Sequence, residues 1–171
     1  MKTVKTIVII VTILLVAFFS IGLVVKDTKY TTEIVVDKPI EEVFTAFNDI
    51  RKSDNWIPEF KSVEVIDEKL GKVGSTYKIT LDNNGQEIIM KEKILAFIPN
   101  EKVTLNYSVE GMLKMNDFNF VAQENKTKIT QKSTCKSTRY LMSCMFPFFK
   151  SKFKVQDQGY LNNFKSYIEK E

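Results

Sequence analysis

The segment that decides the fold is Phe146-Pro-Phe-Phe-Lys-Ser-Lys-Phe-Lys-Val-Gln-Asp-Gln-Gly-Tyr-Leu-Asn-Asn-Phe-Lys-Ser-Tyr-Ile168. Phe149, Phe153, Tyr160, Phe164 and Ile168 recur at helical spacing and fall in a stripe roughly 100° wide, the pattern of a long helix laid on a sheet. Lys152, Lys154, Asn162, Ser166 and Lys170 occupy the other side. Asp157 lies inside the apolar stripe. Either the helix tilts to let this carboxylate reach water, or it covers a cavity into which a polar group projects.

Upstream, residues 30–37 alternate as a strand, with Thr32, Ile34 and Val36 on one face. Pro39 opens a helix at its preferred first position, with Glu41 and Glu42 at the positive end of the dipole. Ile40, Val43, Phe44 and Phe47 form its apolar face, and a short second helix or turn carries Trp56, Ile57 and Pro58. Strands are predicted over 61–70, 76–81, 86–98, 102–110, 113–122 and 127–138. Asn84-Gly85 is a strong two-residue hairpin signal. The order is one strand, two short helices, six strands and a long helix. It predicts an α+β fold in which a curved antiparallel sheet of about seven strands surrounds the C-terminal helix.

Ahead of this domain, residues 7–25 carry no charge. Such a run spans about 28 Å as a helix, close to the hydrocarbon thickness of a bilayer. It is too long for a signal-peptide core and lacks well-placed small residues at a cut site. The organisation read here is an uncleaved transmembrane anchor over 1–26, with a removed signal as the alternative, a linker over 27–30 and a folded domain over 31–171. A tether over 26–30 reaches at most about 17 Å, which keeps the domain near the membrane. Lys2, Lys5 and the amino terminus, weighed against Lys26 and Lys29, favour an extracytoplasmic domain.

Lys2, Lys5 and Lys26 flank the anchor and supply most of the net charge of +4. The near-neutral remainder argues against a nucleic-acid partner. The 171 residues contain no histidine, which removes the usual general base and the commonest metal ligand. Cys135 and Cys144 lack metal-site spacing but could pair in an oxidising compartment. No metal or cofactor is predicted. Thirteen Phe and six Met point to a large, adaptable apolar interior.

Three stretches resemble the START-like, helix-grip proteins of the SRPBCC superfamily, which includes polyketide cyclase/dehydrase and lipid-transport domains. Ile34-Val-Val-Asp-Lys-Pro-Ile-Glu-Glu-Val-Phe44 is similar to the first strand and helix entry. Asn55-Trp-Ile-Pro58 with Phe60-Lys-Ser-Val63 is similar to the passage from second helix to second strand, and residues 157–169 to the closing helix. The likeness covers nearly all of the chain beyond the anchor. It implies a cavity for a hydrophobic ligand, but motifs of this kind are structural and name no ligand.

Several residues are candidates for lining that cavity. On the 86–98 strand, Ile88, Met90, Glu92, Ile94, Ala96 and Ile98 share a face on which Glu92 is the only charge. Inward, its pKa should rise unless a cation answers it; a bulge could instead turn it outward. On the 127–138 strand, Ile129, Gln131, Ser133 and Cys135 form a semi-polar face, suited to a wet interior or to a partly exposed sheet end. Tyr107 could add a hydroxyl from the neighbouring strand. The expected ligand-binding set is Met90, Glu92, Tyr107, Gln131, Ser133, Phe153, Asp157 and Tyr160.

The segment 140–149 is aromatic and flanked by lysines. Tyr140, Met145, Phe146, Phe148 and Lys150 are expected at a lipid surface, unless Met142, Phe146 and Phe149 simply extend the core stripe. Function divides three ways: a membrane-anchored binder of a lipid or other hydrophobic molecule, a cyclase/aromatase-type enzyme with Glu92 or Asp157 as proton carrier and Tyr107 as donor, or a protein-interaction module.

Overall fold

Alternation of inward and outward side chains, interrupted at a few register shifts, builds seven segments of this chain into one sheet. The structure is a computed structural model and describes residues 2–170. Helix α1 (Lys2–Val24) precedes β1 (Thr28–Val36), α2 (Ile40–Phe47) and a 3-10 turn over Ile50–Asn55. Strands β2 (Phe60–Asp67), β3 (Thr76–Asn83), β4 (Gln86–Ile98), β5 (Lys102–Val109), β6 (Met112–Gln123) and β7 (Lys126–Ser137) follow, and α3 (Tyr140–Ile168) closes the domain. The seven strands are antiparallel in the order β1-β7-β6-β5-β4-β3-β2. Each strand from β2 to β6 pairs with its successor in sequence, and β1 returns to pair with β7. Helix α3 packs on the β1–β7 side of this curled sheet.

Several boundaries differ from those read in the sequence. Pro39 is the N-cap of α2 rather than its first residue, with φ −61° and ψ 152°. Strand β2 stops at Asp67 and leaves Leu70 fully exposed in a turn. The link between α1 and β1 is Val25 to Asp27, shorter than the expected tether. At the β3–β4 turn, Asn84 and Gly85 take φ of 55° and 86°, the left-handed pair that this hairpin requires. A register shift between Ile94 and Ala96 re-aims the end of β4. Ile98, expected inward, is 44% exposed, whereas Phe97 packs on Phe44 at 5.3 Å between ring centroids.

The interior has two apolar regions. The larger gathers α2, the ends of β1 and β5 to β7, and the C-terminal half of α3, with Phe47 within 5.5 Å of Phe118, Phe120, Phe164 and Trp56. The smaller contains Tyr30, Cys135 and Phe146, with Met112 and Phe153 against them. Between these regions, α3 presents Asp157 to the sheet.

Candidate functional site

Asp157 does not tilt toward water: it is 2% exposed and its carboxylate is fully engaged. Lys114 Nζ lies 2.6 Å from Oδ1. Tyr30 donates its hydroxyl to Oδ2 at 2.9 Å, and Gln131 Nε2 donates to the same oxygen at 2.6 Å. The Ser133 hydroxyl lies 3.1 Å from Oδ2 and 2.9 Å from Asn116 Oδ1, and accepts from Gln131 Nε2 at 2.9 Å. Thr32 donates to Gln131 Oε1 at 3.3 Å. A buried carboxylate persists when a cation and several donors replace its lost water, and this site supplies both. Burial, and then the charge of Asp157, drive the Tyr30 hydroxyl well above its ordinary pKa, so it stays a donor.

Glu92 and Tyr107 face each other across β4 and β5, and Tyr77 faces Glu92 from β3. Glu92 is 6% exposed, and burial pushes its pKa up to about 7; the hydrogen bond from Tyr107 offsets only part of this. The Tyr107 hydroxyl is itself raised, first by burial and then by Glu92. Tyr107 is half-buried on β5. The two carboxylates therefore differ. Asp157 has its cation, whereas Glu92 has a phenol.

A groove of about 400 Å³ runs beside the first half of α3, between that helix and the β5–β6 turn. Val109, Met112, Met142, Phe146, Phe149 and Phe153 line it, and Glu110 and Arg139 pair at its rim. Behind the groove wall, Phe153 stacks on Tyr30 at 6.5 Å and Tyr30 bonds Asp157.

No family model matches the sequence, and no curated protein is significantly similar to it. Solved structures do share its architecture. Ara h 8.0201 superposes with a TM-score of 0.68 at 16% identity, covering 85% of this chain and 99% of that one. The Zhui aromatase/cyclase from a Streptomyces species gives 0.68 at 11% identity over 84% and 94%. The di-domain ARO/CYC StfQ of the steffimycin biosynthetic pathway gives 0.68 at 11% identity, with this chain spanning 51% of it. The domain has the START-like helix-grip fold. At these identities the likeness is one of architecture.

Within this helix-grip domain, Gln131, Ser133 and Asp157 bond one another directly, and Glu92 and Tyr107 form the adjoining pair. Met90 is half-buried on the inward face of β4, and Phe153 sits in the groove. Tyr160 stands apart at the flank, where its hydroxyl donates to Glu59 Oε2 at 3.0 Å; Leu161 takes the buried place in the stripe. Phe146, expected at a lipid surface, is 5% exposed in the smaller core cluster, because its step of the helix faces Tyr30 and Cys135. Tyr140, Phe148 and Lys150 are exposed and Met145 is half-buried. Both thiols are free.

Tyr30, Lys114 and Asn116 complete the site and were missed by sequence reasoning. Tyr30 shares the parity of Thr32 and Val36 on β1. Lys114 is the only charge among Met112, Lys114, Asn116, Phe118 and Phe120, the inward positions of β6. The signal that singled out Glu92 could have found it.

Proposed function

We propose that this chain is a single-pass, membrane-anchored helix-grip domain that binds a lipid or other hydrophobic small molecule in the groove beside α3. The groove carries the reading. Its volume of about 400 Å³ suits a small apolar guest, its walls are mainly aromatic and thioether, and its few polar groups stand at the rim. Behind it, Tyr30 stacks on Phe153 and carries the hydroxyl that a polar end of the guest would meet. The anchor reading rests on α1, 23 residues long, apolar and without a buried residue. Lys2 and Lys5 before the span support an extracytoplasmic domain.

Native mass spectrometry of the full chain extracted in mild detergent tests this. A co-purifying hydrophobic molecule is expected, and Met112→Trp, which fills the groove, should abolish it. A chain that carries no guest, and is not stabilised by any added fatty acid, sterol or aromatic polyketide, would remove the binding function.

One observation favours a second reading. Glu92, with a pKa of about 7 beside the Tyr107 hydroxyl, is poised as a general base or acid near neutrality, and an aromatase/cyclase is among the structures of similar fold. Under that reading, Glu92→Gln loses turnover but keeps the guest.

A further inference from the structure

Leu141, Phe148 and Val155 recur every seventh residue on the outer face of α3, away from Phe146 and Asp157. They are 55%, 66% and 72% exposed, although the water-facing side of an amphipathic helix is ordinarily polar. The stripe runs about 21 Å along the helix. Lys152 is exposed beside it, one turn from Phe148, and residues 140–156 include no acid. Lys152 also reaches over the Phe149 ring, 5.6 Å from its centroid.

The first turns of α3 are held against the anchor. Tyr140 donates its hydroxyl to the carbonyl of Phe19 at 2.5 Å, and the two rings stack at 6.3 Å. At Gly22 an added Cβ would stand 2.6 Å from Cys144 Sγ, so only glycine permits this approach. Phe19 precedes the end of α1 by about 8 Å of helix. A helix joined there begins at the boundary between headgroups and acyl chains, the depth at which amphipathic interfacial helices lie.

We infer that the outer face of α3 is a bilayer-docking surface: Leu141, Phe148 and Val155 enter the outer acyl region, and Lys152 beside them meets anionic headgroups. The inference rests on the reading that α1 spans a membrane. It commits to lipid as the occupant because the stripe is continuous with the packed end of α1 and is bordered by Lys152, with no acid along residues 140–156 to repel an anionic surface. It also sets the groove mouth beside the bilayer, so a guest need not cross water to load.

The test uses full-length Phe148→Trp, a substitution that leaves the buried face of α3 untouched, reconstituted into vesicles of phosphatidylcholine and phosphatidylglycerol with bromine on the upper acyl carbons. Trp56 in the unsubstituted chain supplies the reference emission. The added indole should lose roughly half or more of its emission to bromolipid, as interfacial burial requires, and less when phosphatidylglycerol is omitted. Vesicle flotation separates the two readings. A chain that floats while the new indole shows no excess quenching keeps its anchor and overturns the docking. A chain that does not float overturns both. An indole shielded from bromolipid and from aqueous acrylamide alike means that a second copy or another protein covers the stripe, and that also overturns the proposal.

Discussion

Asp157 and Glu92 are both carboxylates inside one sheet, and their partners make opposite predictions for them. Removing the acceptor of a buried pair strands the cation, so Asp157→Ala should cost roughly 3–5 kcal/mol in chemical denaturation. Replacing both charges, as Asp157→Leu with Lys114→Met, should recover much of that loss. Glu92 works the other way. Its folded pKa of about 7 lies above the ordinary 4.5, so the native state holds the proton more tightly than the unfolded chain. Stability is then greatest below about pH 4.5 as far as this group is concerned and falls as pH rises through 7, by an amount on the order of 3 kcal/mol. With no histidine present, no other side chain ordinarily titrates in that window. Glu92→Gln should match the parent at pH 5, flatten the slope and be the more stable protein at pH 8 in urea titrations. An unchanged slope would mean that Glu92 is already charged in the native state. Sequence reasoning reached Glu92 and Asp157 because each interrupts an apolar face. It could not reach their difference, because that depends on whether a cation from another strand arrives.

At the scale of elements, α3 has three working faces. Its buried stripe closes the main core. Phe164 is fully buried and stacks edge-on against Phe47 and Trp56, so Phe164→Ala should cost about 3–5 kcal/mol by leaving a cavity that those rings cannot collapse into. Its first turns hold α1. Cys144 is fully buried, and Gly22→Leu should push the helices apart and raise the rate of Cys144 alkylation by a membrane-permeant maleimide several-fold, with Cys135 unchanged as the internal control. Its outer face is the apolar stripe assigned to lipid. The strand order and the helix were legible because alternation and helical spacing are local. The phase of the stripe was not: spacing alone admitted Tyr160, whereas contact with Glu59 holds that residue at the flank and gives its place to Leu161. Likewise the bulge after Ile94, which trades Ile98 for Phe97, answers to Phe44 on α2 and has no sequence signature.

At the scale of the whole molecule, an apolar core, a polar waist and an aromatic groove succeed one another along α3, with α1 at the groove end. A guest held only by the native state stabilises it by mass action, so stripping the co-purified molecule should lower the melting temperature, and saturating re-addition at about a hundredfold over Kd should restore about 2.7 kcal/mol. The sequence by itself determined the helix-grip order, the membrane-length leader and the presence of polar groups where apolar ones belong, because each is written in spacing or composition along a single segment. Only the tertiary structure decided that Lys114 and Tyr30 answer Asp157, that Tyr107 and no cation among the described residues answers Glu92, and that a groove opens beside the first half of α3. Those outcomes depend on which distant segments the curl of the sheet brings within a few ångströms, and no local pattern encodes that.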